Sequence, residues 1–204
     1  MNTEQKNTQK SYSLIASLFD FAELFVIAIC VVILFFTFGA RLCRVDGDSM
    51  LNTLKDDEML LVTNFGYEPK QGDVVVFHQT HDTYQRLNEA IVKRVIATEG
   101  QYVFIDFDTA KVYVSEDDDF NEDDILEENY DFIDNSAGII TEPYYAKGRI
   151  YHVPEGCVFV LGDNRNNSLD SRSTDIGMVD TRRILGKVVL RITPLSRFGT
   201  IEKE

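Results

Sequence analysis

The stretch Ala90-Ile-Val-Lys-Arg-Val-Ile-Ala97 decides the fold. It is apolar except for Lys93 and Arg94, rich in β-branched residues, and followed at once by the turn signal Thr98-Glu99-Gly100. A short run of this kind is a strand rather than a helix. With a side-chain period of two, Ile91, Lys93 and Val95 share one face, and Val92, Arg94 and Ile96 the other. Lys93 is therefore flanked by apolar groups. Full burial lowers a lysine amine from its reference of about 10.4 by up to ~3–5 units, which makes a neutral, proton-accepting amine available near pH 7. The bland alternative is that both long side chains run out to water along the apolar surface.

Outward from this strand the same pattern repeats. Strands are expected at residues 59–63, 74–77, 90–98, 102–106, 111–114, 149–153, 157–161 and 184–192, separated by Gly, Asp, Asn or Pro. No segment after residue 41 has a convincing apolar period of 3.6. The fold class is mainly β, a barrel or sandwich. Of the net charge of −14, eleven units come from carboxylates at residues 116–134, where Lys and Arg are absent, leaving −3 for the rest. The acidity is local, and residues 115–144 read as a solvated excursion from the sheet. No basic cluster points to nucleic acid.

The first 40 residues have a different character. Residues 1–20 are polar, with Lys6 and Lys10, and residues 24–40 carry no charge at all. A run of about 20 residues at 21–40 suffices to cross a bilayer core of ~30 Å as a helix. It exceeds the apolar core of a cleaved export signal, so a retained anchor is the preferred reading. The division is a tail at 1–20, a span at 21–40 and one domain at 41–204. Lys6 and Lys10 on one side nearly balance Arg41 and Arg44 on the other, so charge alone leaves orientation open. Cys30, Cys43 and Cys157 have no metal or disulfide-framework spacing, though a Cys43–Cys157 bridge stays open.

Two further stretches bear on chemistry. Residues 45–54 read V-D-G-D-S-M-L-N-T-L around Ser49, and residues 160–172 read V-L-G-D-N-R-N-N-S-L-D-S-R. Each taken alone is an ordinary polar turn. A serine hydroxyl needs a base before it attacks a carbonyl. His78 and His81 form an H-x-x-H pair without an evident third ligand, and His152 lies within a strand, so neither a metal nor a cofactor is expected. Lys93 is the better base. Asp170 and Arg172, two residues apart, are expected to pair, and Asp163 can face Arg94.

In this order, behind an apolar span, the three stretches resemble the bacterial type I signal peptidases, and the resemblance runs from the span to Pro194 apart from the acidic section. It implies a Ser-Lys dyad with Ser49 as nucleophile and Lys93 as general base. Ser168 would hydrogen-bond the lysine amine, and Gly162, Asp163, Asp170, Arg172 and Arg94 would shape the site. The Ser49 backbone N–H is the first oxyanion donor; some relatives supply a second from a serine hydroxyl at the position of Gly47, so here that donor is unassigned. Asn52 and residues 97–101 also depart from the family's usual Pro and Gly-Leu-Pro-Gly-Asp. Substrates would be exported preproteins with small residues before the scissile bond, cut near membrane lipid and the export translocon, with a cytoplasmic N-terminus and an extracytoplasmic catalytic domain. A Gram-positive-like, single-span type fits best. Nine steps from Ala40 to Ser49 reach roughly 30 Å at most, which keeps the nucleophile near the membrane. Met50 and Leu51 could touch lipid, line the cleft or pack in the core. The competing readings are a self-cleaving repressor-type Ser-Lys protease, and an anchored binding module with an inactive dyad.

Overall fold

The computed structural model describes residues 3–51, 53–79, 90–107, 109, 111–127 and 149–201. Asn52, His81 and most of the acidic section beyond Glu127 lie outside the described residues. The chain forms two units, divided between Ala40 and Arg41.

The first unit is helical. Helix α1 spans Thr3–Leu34 and passes into a π-type turn at Phe35–Gly39. Its stretch Ala16–Leu34 is long and apolar enough to cross a membrane, and its large side chains, among them Phe25, Val31 and Leu34, are exposed. A helix that is apolar on every side and covered by no protein suits hydrocarbon rather than water. Helical structure begins well before the span expected at 21–40, so residues 3–20 continue the same helix.

The second unit is built from antiparallel strands. They are β1 Arg41–Arg44, β2 Met59–Thr63, β3 Val74–His78, β4 Ala90–Ala97, β5 Tyr102–Asp106, β6 Lys111–Ser115, β7 Ile150–His152, β8 Cys157–Leu161, β9 Val179–Asp180 and β10 Ile184–Thr193. Among the described residues, seven form one sheet in the order β1-β2-β10-β3-β4-β8-β9, and three form another in the order β6-β5-β7. Every expected strand is present within two residues, and the mainly β class holds. β1 and β9 escaped the sequence reading. β1 is a four-residue edge strand with arginine at both ends, which suits an unpaired edge, and β9 has only two residues.

β3 and β4 are central strands with apolar cover on both faces. Val74 and Val76 of β3 pack with Leu60, Val62 and Val188, whereas Val75 and Phe77 pack with Val95, Val160 and Ile184. That is why β3 is a continuous apolar run rather than an alternating one. The smaller sheet closes over Ile96, Phe159 and Leu161 with Val103, Ile105 and Tyr151. Lys93 and Arg94 lie midway along β4, opposite Val75 and Val74.

Candidate active site

Between β1 and β2 the chain makes a closed loop. Val45 N donates to Glu58 O at 2.8 Å, and Asp57 N returns a bond to Val45 O at 3.0 Å. Inside it Gly47 has φ +86°, a left-handed conformation that glycine adopts without a Cβ penalty, and its N–H donates to Asp56 Oδ1 at 2.9 Å. A single helical turn follows, closed by Leu54 N to Met50 O at 2.8 Å. Met50 and Leu54, four residues apart, fall on one side of that turn and are completely buried. Core packing is thus the role of Met50, while Leu51 is half-buried. The turn holds Ser49 at its start.

Lys93 reaches this turn from β4. It is 3% exposed, and its Nζ lies 2.7 Å from Ser49 Oγ and donates to Val92 O at 2.9 Å. Burial pushes the amine down to about 8, against the opposing pull of the Asp170 and Asp163 charges. A cleft of about 250 Å³ opens beside the two groups, lined by Cys43, Leu60, Val76, Ile91, Val92 and Leu169 among others.

The loop after β8 supplies the support. Asp163 takes two bonds from Arg94, from Nε at 2.8 Å and Nη2 at 2.7 Å, and a third from Thr53 Oγ1 at 2.6 Å. Asp170 takes two from the Arg172 guanidinium, at 2.8 and 2.9 Å, one from the Arg172 N–H at 3.3 Å, and one from Gly162 N at 3.0 Å. Burial alone would raise the Asp170 carboxyl; the Arg172 charge and hydrogen bond, the Gly162 N–H and the Ser168 hydroxyl outweigh it and hold the group below its ordinary value. These charges are sealed from water, so each survives by its partner.

Gly162 is required by close approach. A Cβ there would collide with Ser168 Oγ and with the Ser49 carbonyl oxygen, and would lie 2.6 Å from Ser168 Cβ. The Ser168 side chain is thereby packed against the backbone beneath the nucleophile. The structure brings Ser49, Lys93, Gly162, Ser168, Asp163, Arg94, Asp170 and Arg172 into one neighbourhood. The hydrogen bonds given by Lys93 run to Ser49 and Val92.

Sequence reasoning missed Asn164, which binds two successive carbonyls at the nucleophile: its N–H donates to Ser49 O and its Nδ2 to Asp48 O, each at 3.0 Å. It also missed Arg165, 1% exposed, whose Nε donates to Gly162 O at 2.9 Å, and Thr53. All three lie in the quoted stretches, but contacts to backbone carbonyls, or in the case of Thr53 to a carboxylate 110 residues away, leave no mark in the local side-chain pattern. The two described histidines stand apart. His78 ends β3 and is exposed, and His152 packs against Tyr102 with ring centroids 4.6 Å apart and planes tilted by 41°. Cys30, Cys43 and Cys157 are free thiols.

Residues 18–193 match a family described as signal peptidase, peptidase S26. Signal peptidase I of Leptolyngbya laminosa is 36% identical over 81% of this chain and 74% of its own length. The probable signal peptidase I-1 of Synechocystis sp. (strain ATCC 27184 / PCC 6803 / Kazusa) is 34% identical over 87% of this chain and 84% of its own. Signal peptidase IB of Staphylococcus aureus is 35% identical over 84% of this chain and 88% of its own. With a family match that runs from within α1 to the end of β10, and relatives above 30% identity matched over most of both chains, this chain belongs to the signal peptidases of the S26 family of serine peptidases.

Proposed function

We propose that the chain removes N-terminal signal peptides from exported preproteins with a Ser49-Lys93 dyad at the outer face of the membrane. One observation carries the assignment of the dyad: a buried lysine amine, pushed down to about 8, stands 2.7 Å from a serine hydroxyl at the edge of a cleft. Neutral Lys93 accepts the hydroxyl proton as Ser49 Oγ attacks the carbonyl carbon of the scissile bond. The Ser49 N–H stabilises the oxyanion. The protonated amine then gives its proton to the leaving nitrogen of the mature protein, and the signal peptide stays esterified to Ser49. A water that loses its proton to Lys93 hydrolyses the ester. Asp163 with Arg94, and Asp170 with Arg172, Gly162 and Ser168, hold the loop in place and perform no bond chemistry.

The cleft beside the dyad is small and apolar at Leu60, Val76, Ile91 and Val92, which fits small side chains before the scissile bond. α1 anchors the protein, with the division 1–20, 21–40 and 41–204, the N-terminus in the cytoplasm and the catalytic domain outside, close to lipid and to the translocon. The test is cleavage of a purified secretory precursor with an Ala-x-Ala junction by the detergent-solubilised full chain. Wild type is expected to release the mature protein, and Ser49→Ala and Lys93→Ala each to lose roughly three or more orders of magnitude in rate. Lys93→Ala cutting at the wild-type rate would remove Lys93 as the base. Equal inactivity of all three on several precursors would favour an anchored binding protein.

A further inference from the structure

The two groups of the dyad come from segments 44 residues apart. β4, which carries Lys93, is held by β3 and β8 through the sheet register. The turn that carries Ser49 belongs to no strand. Links outside the ladder must therefore set the distance between them: Asn164 ties the turn to the loop after β8, and Thr53 is placed to tie it, through Asp163, to the neighbour of Lys93 itself.

Thr53 belongs to the nucleophile turn, four residues beyond Ser49. Its Oγ1 donates to Asp163 Oδ2 at 2.6 Å, and the same carboxylate is clamped by both prongs of Arg94, the residue next to Lys93. Arg94 in turn donates through Nη1 to Gly72 O at 2.8 Å. The other end of Thr53 is fixed as well. Its carbonyl oxygen accepts from Arg191 Nη1 at 3.0 Å and from Arg197 Nη2 at 3.2 Å, at the end of β10 and in the segment after it. The carbonyl bonds hold the Thr53 backbone, and the β-branched side chain stiffens the rotation that aims its hydroxyl. That hydroxyl meets a carboxylate that is 2% exposed and has three donors, so the bond is charge-assisted and shielded from water.

We propose that Thr53 is a positioning residue for peptide cleavage: its hydroxyl, through Asp163 and Arg94, fixes the separation of Ser49 from Lys93. The inference rests on the dyad reading of the preceding section. Proton transfer between hydroxyl and amine requires hydrogen-bond distance, and a displacement of about 1 Å costs on the order of a hundredfold in rate.

Thr53→Val keeps the shape and deletes the hydroxyl, while Thr53→Ser keeps the hydroxyl and deletes the methyl. Both are compared with wild type, Ser49→Ala and Lys93→Ala on the same precursor, with rates expressed per folded molecule. For Thr53→Val, kcat is expected to fall about tenfold or more with KM within about twofold, and Thr53→Ser to return kcat to within about twofold of wild type. A residue that only stabilises the fold would lower the melting temperature and the folded fraction but leave kcat per folded molecule unchanged. The proposal is overturned if Thr53→Val works at the wild-type kcat, or if Thr53→Ser is as impaired as Thr53→Val. If Ser49→Ala or Lys93→Ala cuts normally, the dyad reading fails and takes this proposal with it. If both are dead while Thr53→Val is fully active, only the role of Thr53 fails.

Discussion

Three aspartates in this chain stand two residues ahead of an arginine; Asp163 pairs with the distant Arg94 instead, while Asp170 and Asp180 each close a two-pronged ion pair with the arginine two residues on. Arg172 donates to Asp170 through Nε at 2.8 Å and Nη2 at 2.9 Å; Arg182 donates to Asp180 through the same atoms at 2.9 and 2.5 Å. The local geometry is nearly the same and the surroundings are opposite. Both side chains of the first pair are wholly buried, whereas the Arg182 side chain of the second is 88% exposed. Asp180 caps the 3-10 turn Thr181–Arg183 at the surface, and its Arg182 hydrogen bonds hold its carboxyl down to about 2. Asp170 is held low against a burial that pulls the other way, with the Gly162 N–H and the Ser168 hydroxyl in support. Equal spacing therefore carries unequal consequence: one motif trims a turn, and the other holds the loop beneath the proposed nucleophile.

The sharpest way to break this comparison is the same substitution at both sites. Asp170→Asn leaves the Arg172 charge buried without compensation and is expected to cost about 3–5 kcal/mol of unfolding free energy. Urea titration of the detergent-solubilised chain, followed by tyrosine fluorescence because the sequence has no tryptophan, measures it. A loss below about 1 kcal/mol would show that the buried pair is no more valuable than a surface one.

Lys93 sharpens the comparison from the other side, because it is buried beside these charges without an acidic partner of its own. Below pH 8 the amine is protonated in both the folded and the unfolded chain, and folding must desolvate it. Above about 10.5 it is neutral in both. Between these values the unfolded chain binds more protons, so stability rises with pH. Lys93→Met should thus be more stable than wild type below pH 8, by a margin that shrinks by about 3 kcal/mol as pH rises from 8 to 10.5. The paired urea titrations at several pH values decide it; a margin independent of pH would mean that Lys93 is not desolvated. In the same range the activity of wild type should climb through a midpoint near 8, as the amine becomes neutral.

The smallest effect closes the series. Asp180→Asn is expected to leave both the melting temperature and the cleavage rate of the full chain unchanged within error, because its arginine stays in water. A clear loss of cleavage there would give the surface turn a functional role that its exposure does not suggest.

Much of the architecture was legible because strand signals are local. A β-branched run such as Val74-Val-Val-Phe77 bounded by turn formers needs no distant information to be extended, and the apolar stretch in α1 announces itself by length alone. β1 and β9 were illegible for the complementary reason. Four residues with arginine at both ends, or two residues, carry too little pattern, and they are strands only because β2 and β8 offer edges to pair with. In the candidate site, Ser49, Lys93 and the Gly162–Arg172 loop were visible as residue types in recognisable blocks. Asn164, Arg165 and Thr53 were not, since their partners are main-chain carbonyls and a carboxylate far along the chain.

A span-forming N-terminal segment, a mainly β body and the chemical inventory of a serine and a lysine can all be read locally, because hydrophobic period, turn chemistry and side-chain functionality are properties of neighbouring residues. Whether that lysine is an exposed charged group or a buried amine with a lowered pKa follows only from the tertiary structure. Its protonation depends on how much water is removed from around Nζ and on which charges face it, and those are set by residues 70 and more positions away, at Asp163 and Asp170, brought close by the folding of the sheet and the loop after β8.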